Sequence, residues 1–150
     1  MTKPTDEVRQ GTYRREQWRC IRCGKNSITY QHRQADGMGG SRTVPTFVDG
    51  VAACLWCNEG FEHAGQTEAL AYGWKVRRWI SDAGAVPVFN RPLRLWAQLT
   101  ADGGVRILQT RDAHQAMRRA YGSEWDRWVD ELERRSGGPL PGLSGRTATR

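Results

Sequence analysis

Four cysteines stand in two matched pairs, Cys20 and Cys23 in "CIRC" and Cys54 and Cys57 in "CLWC", with thirty residues between the pairs. Cys-x-x-Cys twice over supplies four thiolates to one tetrahedral Zn²⁺, and with every coordination position filled by protein the site is closed and structural. In a reducing compartment that arrangement is a metal frame rather than a disulfide framework. The frame encloses His32, which ends the strand-like run "SITYQH", and it fixes Asn58, the residue immediately after Cys57. Metal binding thus draws two distant segments together and supplies folding free energy to a small chain.

Taken alone, a histidine at the end of a strand is ordinarily a structural residue. Its neighbours point elsewhere. A neutral imidazole titrates near neutral pH and can take a proton from water. Arg33 and Arg42 flank a loop whose Gly37, Gly39 and Gly40 let backbone N–H groups approach a phosphate closely. Asn58 offers an oxygen to a hard divalent cation. A base, a metal ligand and phosphate-facing arginines together describe phosphodiester hydrolysis.

The bulk properties agree with a polyanionic partner. Lys and Arg outnumber Asp and Glu by 23 to 16, and only Lys3, Lys25 and Lys75 are lysines, so arginine carries the excess. Guanidinium pairs bidentately with phosphate, although arginine-rich usage is also what a GC-rich genome produces. A chain of 150 residues is the size of one domain. No apolar run resembles a secretory signal or reaches the length of a membrane span, so the expectation is a soluble, cytoplasmic protein with no membrane partner.

The elements that must position these residues follow from pattern. Residues 1–10 are polar and aperiodic, and 136–150 are rich in Gly, Pro, Ser and Thr; both ends are predicted to be disordered. Ile28, Tyr30 and His32 alternate on one side of a strand, and "TVPTFV" reads as a second short strand. "NEGFEHAG" and "TEALAYG" read as short helical pieces, the latter capped by Thr67 and stopped by Gly73. "AVPVF" and "LRLWAQLTADGGVRILQ" read as strands, the last two joined by a hairpin at Ala101–Gly104. From Asp112 to Arg135, Ala113, Ala116, Met117, Ala120 and Tyr121 recur at helical spacing, and Trp125, Trp128, Val129 and Leu132 continue the stripe past Gly122. "SEWD" offers a capping box there, Ser123 capping and Asp126 reaching back. The stripe packs on the domain or forms a partner-binding helix.

The stretches "WRCIRCG", "YQHRQADGMGGSR", "DGVAACLWCNEGFE" and "ALAYGW" resemble the HNH endonucleases, most closely the small zinc-stapled HNH proteins of bacteriophages. The likeness runs from about Tyr13 to Leu108, through "GWKV", "VPVF", "LWAQL" and "DGG". It implies an α+β fold: a small zinc-bound ββα-metal core, related to the treble clef, with an added β-hairpin and C-terminal helices. The nuclease domain would span 11–110 and the amphipathic helices 111–135. Carried over by position, His32 is the general base and Arg33 a DNA phosphate contact, with Arg42. Gln31 and Asn58 are ligands of one catalytic divalent cation (Mg²⁺, Mn²⁺ or Ni²⁺), with Glu62 and His63 in reserve. Asp49, where the family's middle asparagine stands, orients the catalytic loop through backbone hydrogen bonds. Cys20, Cys23, Cys54 and Cys57 hold structural Zn²⁺. The implied partner is DNA, and a phage packaging terminase is a further one, with the Trp125/Trp128 helix as docking element. The competing reading is a zinc-ribbon DNA-binding module that has lost catalysis.

Overall fold

The computed structural model describes residues 2–35 and 43–145, so Gly37, Gly39, Gly40 and Arg42 lie outside the described residues. The architecture is α+β. Among the described residues there are five α-helices, a two-stranded antiparallel sheet and a three-stranded antiparallel sheet.

The chain begins with a helix rather than a disordered end. Helix α1 (Asp6–Arg15) starts at Thr5, whose side-chain oxygen accepts from the Val8 N–H at 3.2 Å. Asp6 and Glu7 in its first turn and Arg14 and Arg15 in its last complement the helix dipole. Its docking is polar, which is why no apolar periodicity announces it. Arg15 pairs with Glu16 at 2.6 Å and donates to the carbonyls of Phe47 and Gly50, while Glu16 accepts from the Ala52 N–H at 3.1 Å.

Gly50 and Ala52 belong to the edge of the first sheet. Strand β1 (Thr29–His32) pairs with β2 (Gly50–Ala53), placing Thr29 opposite Ala53, Tyr30 opposite Ala52, Gln31 opposite Val51 and His32 opposite Gly50. Glu16 and Arg15 on one side and the Ile21 N–H, which donates to Ala52 O at 2.9 Å, cover the outer edge of β2 and leave no open template for pairing. The second strand is therefore "GVAA" and not "TVPTFV". All four residues of β2 are buried, so they show no alternation, and Pro45 has no N–H to give to a ladder. Helix α2 (Leu55–Phe61) follows directly, giving the order β-β-α. Helix α3 (Gln66–Ala71) is capped by Gly65 without a side-chain bond, not by Thr67. Gly73 stops it at φ +76°, where a Cβ would stand 1.8 Å from the Pro87 carbonyl oxygen.

The second sheet runs β3 (Val88–Asn90), β4 (Leu95–Leu99) and β5 (Val105–Leu108) in that order, with the β4–β5 turn at Ala101–Gly104 where the sequence signals it. Helices α4 (Thr110–Tyr121) and α5 (Ser123–Ser136) divide at Gly122. The capping box does not form: Asp126 instead takes the Arg118 guanidinium at 3.0 Å, and Ser123 accepts from Arg127. Trp125, Trp128, Val129 and Leu132 are buried, and Trp125 Nε1 donates to Ala71 O at 3.0 Å on α3. The tryptophan face is thus spent inside the chain and is not an outer docking element.

A run of aromatic rings, stacked as far as Phe89 and tilted at Trp96, joins the two halves. Phe61 lies 5.3 Å from Trp74, Trp74 4.9 Å from Tyr72, Tyr72 5.0 Å from Phe89 and Phe89 5.3 Å from Trp96, running from α2 into the second sheet. The tail docks on the end of this ladder. Tyr72 Oη donates to Pro141 O at 2.6 Å, Trp96 Nε1 donates to Gly142 O at 2.9 Å, His114 Nε2 lies 2.7 Å from the same carbonyl, and Leu143 is fully buried. Through Gly145 the tail is therefore ordered, contrary to its composition, because its carbonyls are acceptors for buried aromatic donors. Leu143→Ala is expected to cost about 2–4 kcal/mol in urea denaturation; a loose tail would leave the midpoint unchanged.

Candidate functional site

The four cysteine sulfurs converge, each within 4.8 Å of the others. Cys20 and Cys23 come from the turn after α1, Cys54 from the end of β2 and Cys57 from the first turn of α2. The Cys23 and Cys54 sulfurs are 3.6 Å apart. Tetrahedral Zn–S bonds of about 2.3 Å require a sulfur–sulfur separation of about 3.8 Å, so the donor set fits zinc. The Cys57 N–H points at Cys54 Sγ at 3.4 Å, and the Arg22 guanidinium donates to Cys57 Sγ at 3.8 Å while pairing with Glu68. A fixed cation beside four thiolates offsets part of their charge. Among the described residues this is the one cluster of three or more His, Cys, Asp or Glu side chains that could hold a metal.

The frame anchors β1 and α2, and with them the polar residues of interest. Tyr30 and His32 share a face, their rings edge-on at 5.1 Å. Gly50, opposite His32, has no side chain because the Tyr30 ring crosses it; a Cβ there would lie 2.1 Å from that ring. Burial pushes the Tyr30 phenol above its ordinary pKa, with the Asp49 carboxylate adding to the shift, so the phenol stays protonated. His32 is half-buried at the last position of the strand.

Strand alternation sends Thr29 and Gln31 to the other face. Gln31 is buried and its Nε2 donates to His32 O at 2.9 Å. Asn58 Nδ2 donates to Thr29 Oγ1 at 3.2 Å, so Asn58 sits at the beginning of β1, about 10 Å along the strand from His32. Each amide nitrogen is spent on a protein acceptor, which leaves the oxygen as the atom a cation could take. Glu62 pairs with Lys75 at 2.7 Å, and His63 is exposed in a shallow pocket with Arg22 and Trp56. Among the described residues, the groups expected to hold a second cation are thus two neutral amides, and the Glu62 carboxylate is paired elsewhere. Asp49 lies in the turn before β2. Its carboxylate accepts from the Thr46 N–H at 2.6 Å and from Thr46 Oγ1 at 2.9 Å, and its carbonyl accepts from the Arg33 N–H at 2.8 Å. It organises backbone immediately beside the His32 end of β1.

Arg33 does not face solvent and cannot contact a phosphate. It is fully buried, and its guanidinium donates to the carbonyls of Gly73 at 3.0 Å, Val48 at 2.9 Å, Ala83 at 3.0 Å and Val86 at 2.7 Å. Burial, reinforced by the Arg15 charge, lowers its pKa to about 10. The residue that sequence reasoning missed as a partner is Gln34, whose Nε2 donates to Arg77 O at 3.1 Å and Ile80 O at 2.8 Å. Neither role has a spacing signature, since the acceptors are carbonyls remote in sequence.

No family model, curated protein or solved structure matches this chain. No helix among the described residues is long and apolar enough to cross a membrane.

Two measurements check the site. Metal analysis of the purified protein should return one zinc per chain, and stripping it should abolish the cooperative thermal transition, because the closed site contributes folding free energy. Arg33→Lys should cost at least about 2–3 kcal/mol in urea denaturation of the zinc-loaded protein, since lysine cannot reach all four carbonyls and the orphaned acceptors stay buried. A loss under about 0.5 kcal/mol, as for an exposed phosphate contact, would contradict the buried role.

Proposed function

We propose that this protein is an HNH-type DNA endonuclease that hydrolyses phosphodiester bonds with His32 as general base. The observation that carries the reading is the placement of His32: the last residue of a strand, in a β-β-α unit whose strand and helix are stapled by the tetracysteine cluster, with the Asp49 turn bonded to the next residue. In the ββα-metal family that His32 resembles, this is the position of the base. The imidazole takes a proton from water as the water oxygen bonds to phosphorus; the bond from phosphorus to the 3′ oxygen breaks, and that oxygen takes a proton from solvent. A divalent cation, when bound, would neutralise charge on the phosphate and the departing oxygen.

His32 and Gln31 leave the C-terminal end of β1 on opposite faces, so a phosphodiester placed there reaches His32 and draws on Gln31, whereas Asn58 on α2 lies at the strand's beginning. Neutral amides alone hold a hard cation weakly. The substrate phosphate then completes its coordination.

That weakness also favours a second reading, a zinc-stapled DNA-binding module without catalysis, because Gln31, Asn58 and Glu62 are all engaged with protein partners. A phage terminase remains a proposed partner of the first reading, through a surface other than the buried Trp125/Trp128 face.

Supercoiled plasmid incubated with zinc-loaded protein and Mg²⁺, Mn²⁺ or Ni²⁺ separates the two. Nicking is expected with at least one cation, falling by about 100-fold or more in His32→Ala, the range that removing a general base produces. Absence of nicking with every cation, or nicking undiminished in a folded His32→Ala protein, would exclude the nuclease reading.

A further inference from the structure

Between the segment that follows α3 and helix α4 lies a groove of about 1110 Å³ with β4 and β5 as its floor. Its lining is basic and amide-rich: Arg106 on β5, Arg111, Gln115 and Arg119 on α4, and Gln98 on β4. Arg111, Gln115 and Arg119 recur every fourth residue, so they form a row along one face of α4 in steps of about 6 Å. All three arginines are exposed, and Arg111 and Arg119 make no ion pair with a described residue. Asp82 and Asp112 also reach the groove, but Asp82 Oδ1 is held by the Gly84 N–H at 2.9 Å and Asp112 lies in the first turn of α4, where the helix dipole offsets it.

At the rim stands Trp79, 62% exposed, its indole fixed edge-on against the Tyr121 ring at 5.7 Å. That contact uses only part of the indole and leaves most of the side chain open to solvent. Beside a row of guanidiniums it is a stacking platform, and only a base not already stacked on both sides can use its face.

We infer that this groove binds a single strand of nucleic acid, with a base on Trp79 and the backbone along Arg106, Arg111 and Arg119. Stacked duplex DNA presents no free base face to the exposed indole, whereas a single strand offers both a base for Trp79 and phosphates for Arg111, Arg119 and Arg106, the last already bonded to Gln98. The groove wall is tied to the end of β1: Gln34 holds the Arg77 and Ile80 carbonyls, and Arg33 holds those of Ala83 and Val86. That the strand bound there belongs to the DNA cut at His32 rests on the nuclease reading; the groove itself does not.

The test is fluorescence anisotropy of labelled oligothymidylate with the full-length, zinc-loaded protein, with oligouridylate as a second arm to tell DNA from RNA. Trp79→Ala should weaken binding about 5- to 100-fold. The triple variant Arg106→Gln/Arg111→Gln/Arg119→Gln should lower the slope of log K against log salt by about 2. Arg127→Gln/Arg134→Gln/Arg135→Gln, on α5 outside the groove, should change binding little, and circular dichroism and zinc content confirm the fold of each variant. An equal loss from the α5 set, binding undiminished in Trp79→Ala, or a blunt duplex bound as tightly as the single strand would each overturn the assignment. Plasmid nicking without oligonucleotide binding defeats the groove and spares the nuclease reading. Oligonucleotide binding without nicking does the reverse.

Discussion

The buried guanidinium of Arg33 is the constraint on which the rest of the molecule depends. It closes four carbonyls from three separate stretches of chain, the turn before β2, the stop after α3 and the segment leading to β3. None of these carbonyls belongs to a strand ladder, and only that of Ala83 also accepts within a short 3-10 turn, from the Val86 N–H, so without the guanidinium buried acceptors would lose their partner. A planar fork with five donors can serve several acceptors at fixed angles, whereas an ammonium is a point charge on a flexible stem. Because Arg33 directly follows His32, the same side chain that closes the core also fixes the end of β1. Position of the histidine and integrity of the interior are one problem with one solution.

The tetracysteine cluster solves a complementary one. It ties the residues after α1, the end of β2 and the start of α2 at one point, but it lies at the other end of the hairpin from His32. A strand clamped at its beginning by the cluster and at its end by Arg33 has little freedom between. The aromatic rings from Phe61 to Trp96 then carry that rigidity into the second sheet, and the tail carbonyls at Pro141 and Gly142 finish its far side.

What could be read in advance was what repeats or punctuates locally. Paired cysteines, the alternation of Tyr30 and His32, the Gly73 stop, the Asp-Gly-Gly turn and the tryptophan stripe all act over a few residues, and all stand where the pattern puts them. What could not be read was decided by remote carbonyls. Helix α1 has no apolar stripe because Arg15 and Glu16 dock it, the tail looks unstructured because its contribution is backbone acceptors, and β2 is too short and too buried to alternate. Arg33 is the sharpest case. The donor geometry that suits a phosphate suits carbonyls equally, and burial, which decides between them, is not a local property.

This changes where the positive charge of the protein can act. Arg33 directly follows His32 and Arg15 donates to the carbonyl of Gly50 opposite it, and both side chains are buried and engaged with protein oxygens. Neither is available to a ligand in solvent. In the proposed reading the attraction of a polyanion falls to surface arginines, and Arg106 on β5 and Arg111 and Arg119 on α4 stand along the groove whose other wall, the segment holding Trp79, is bound to the chain just beyond His32 by Gln34. Buried arginines set the geometry and exposed ones set the field, so a high arginine count serves two purposes that composition alone does not separate.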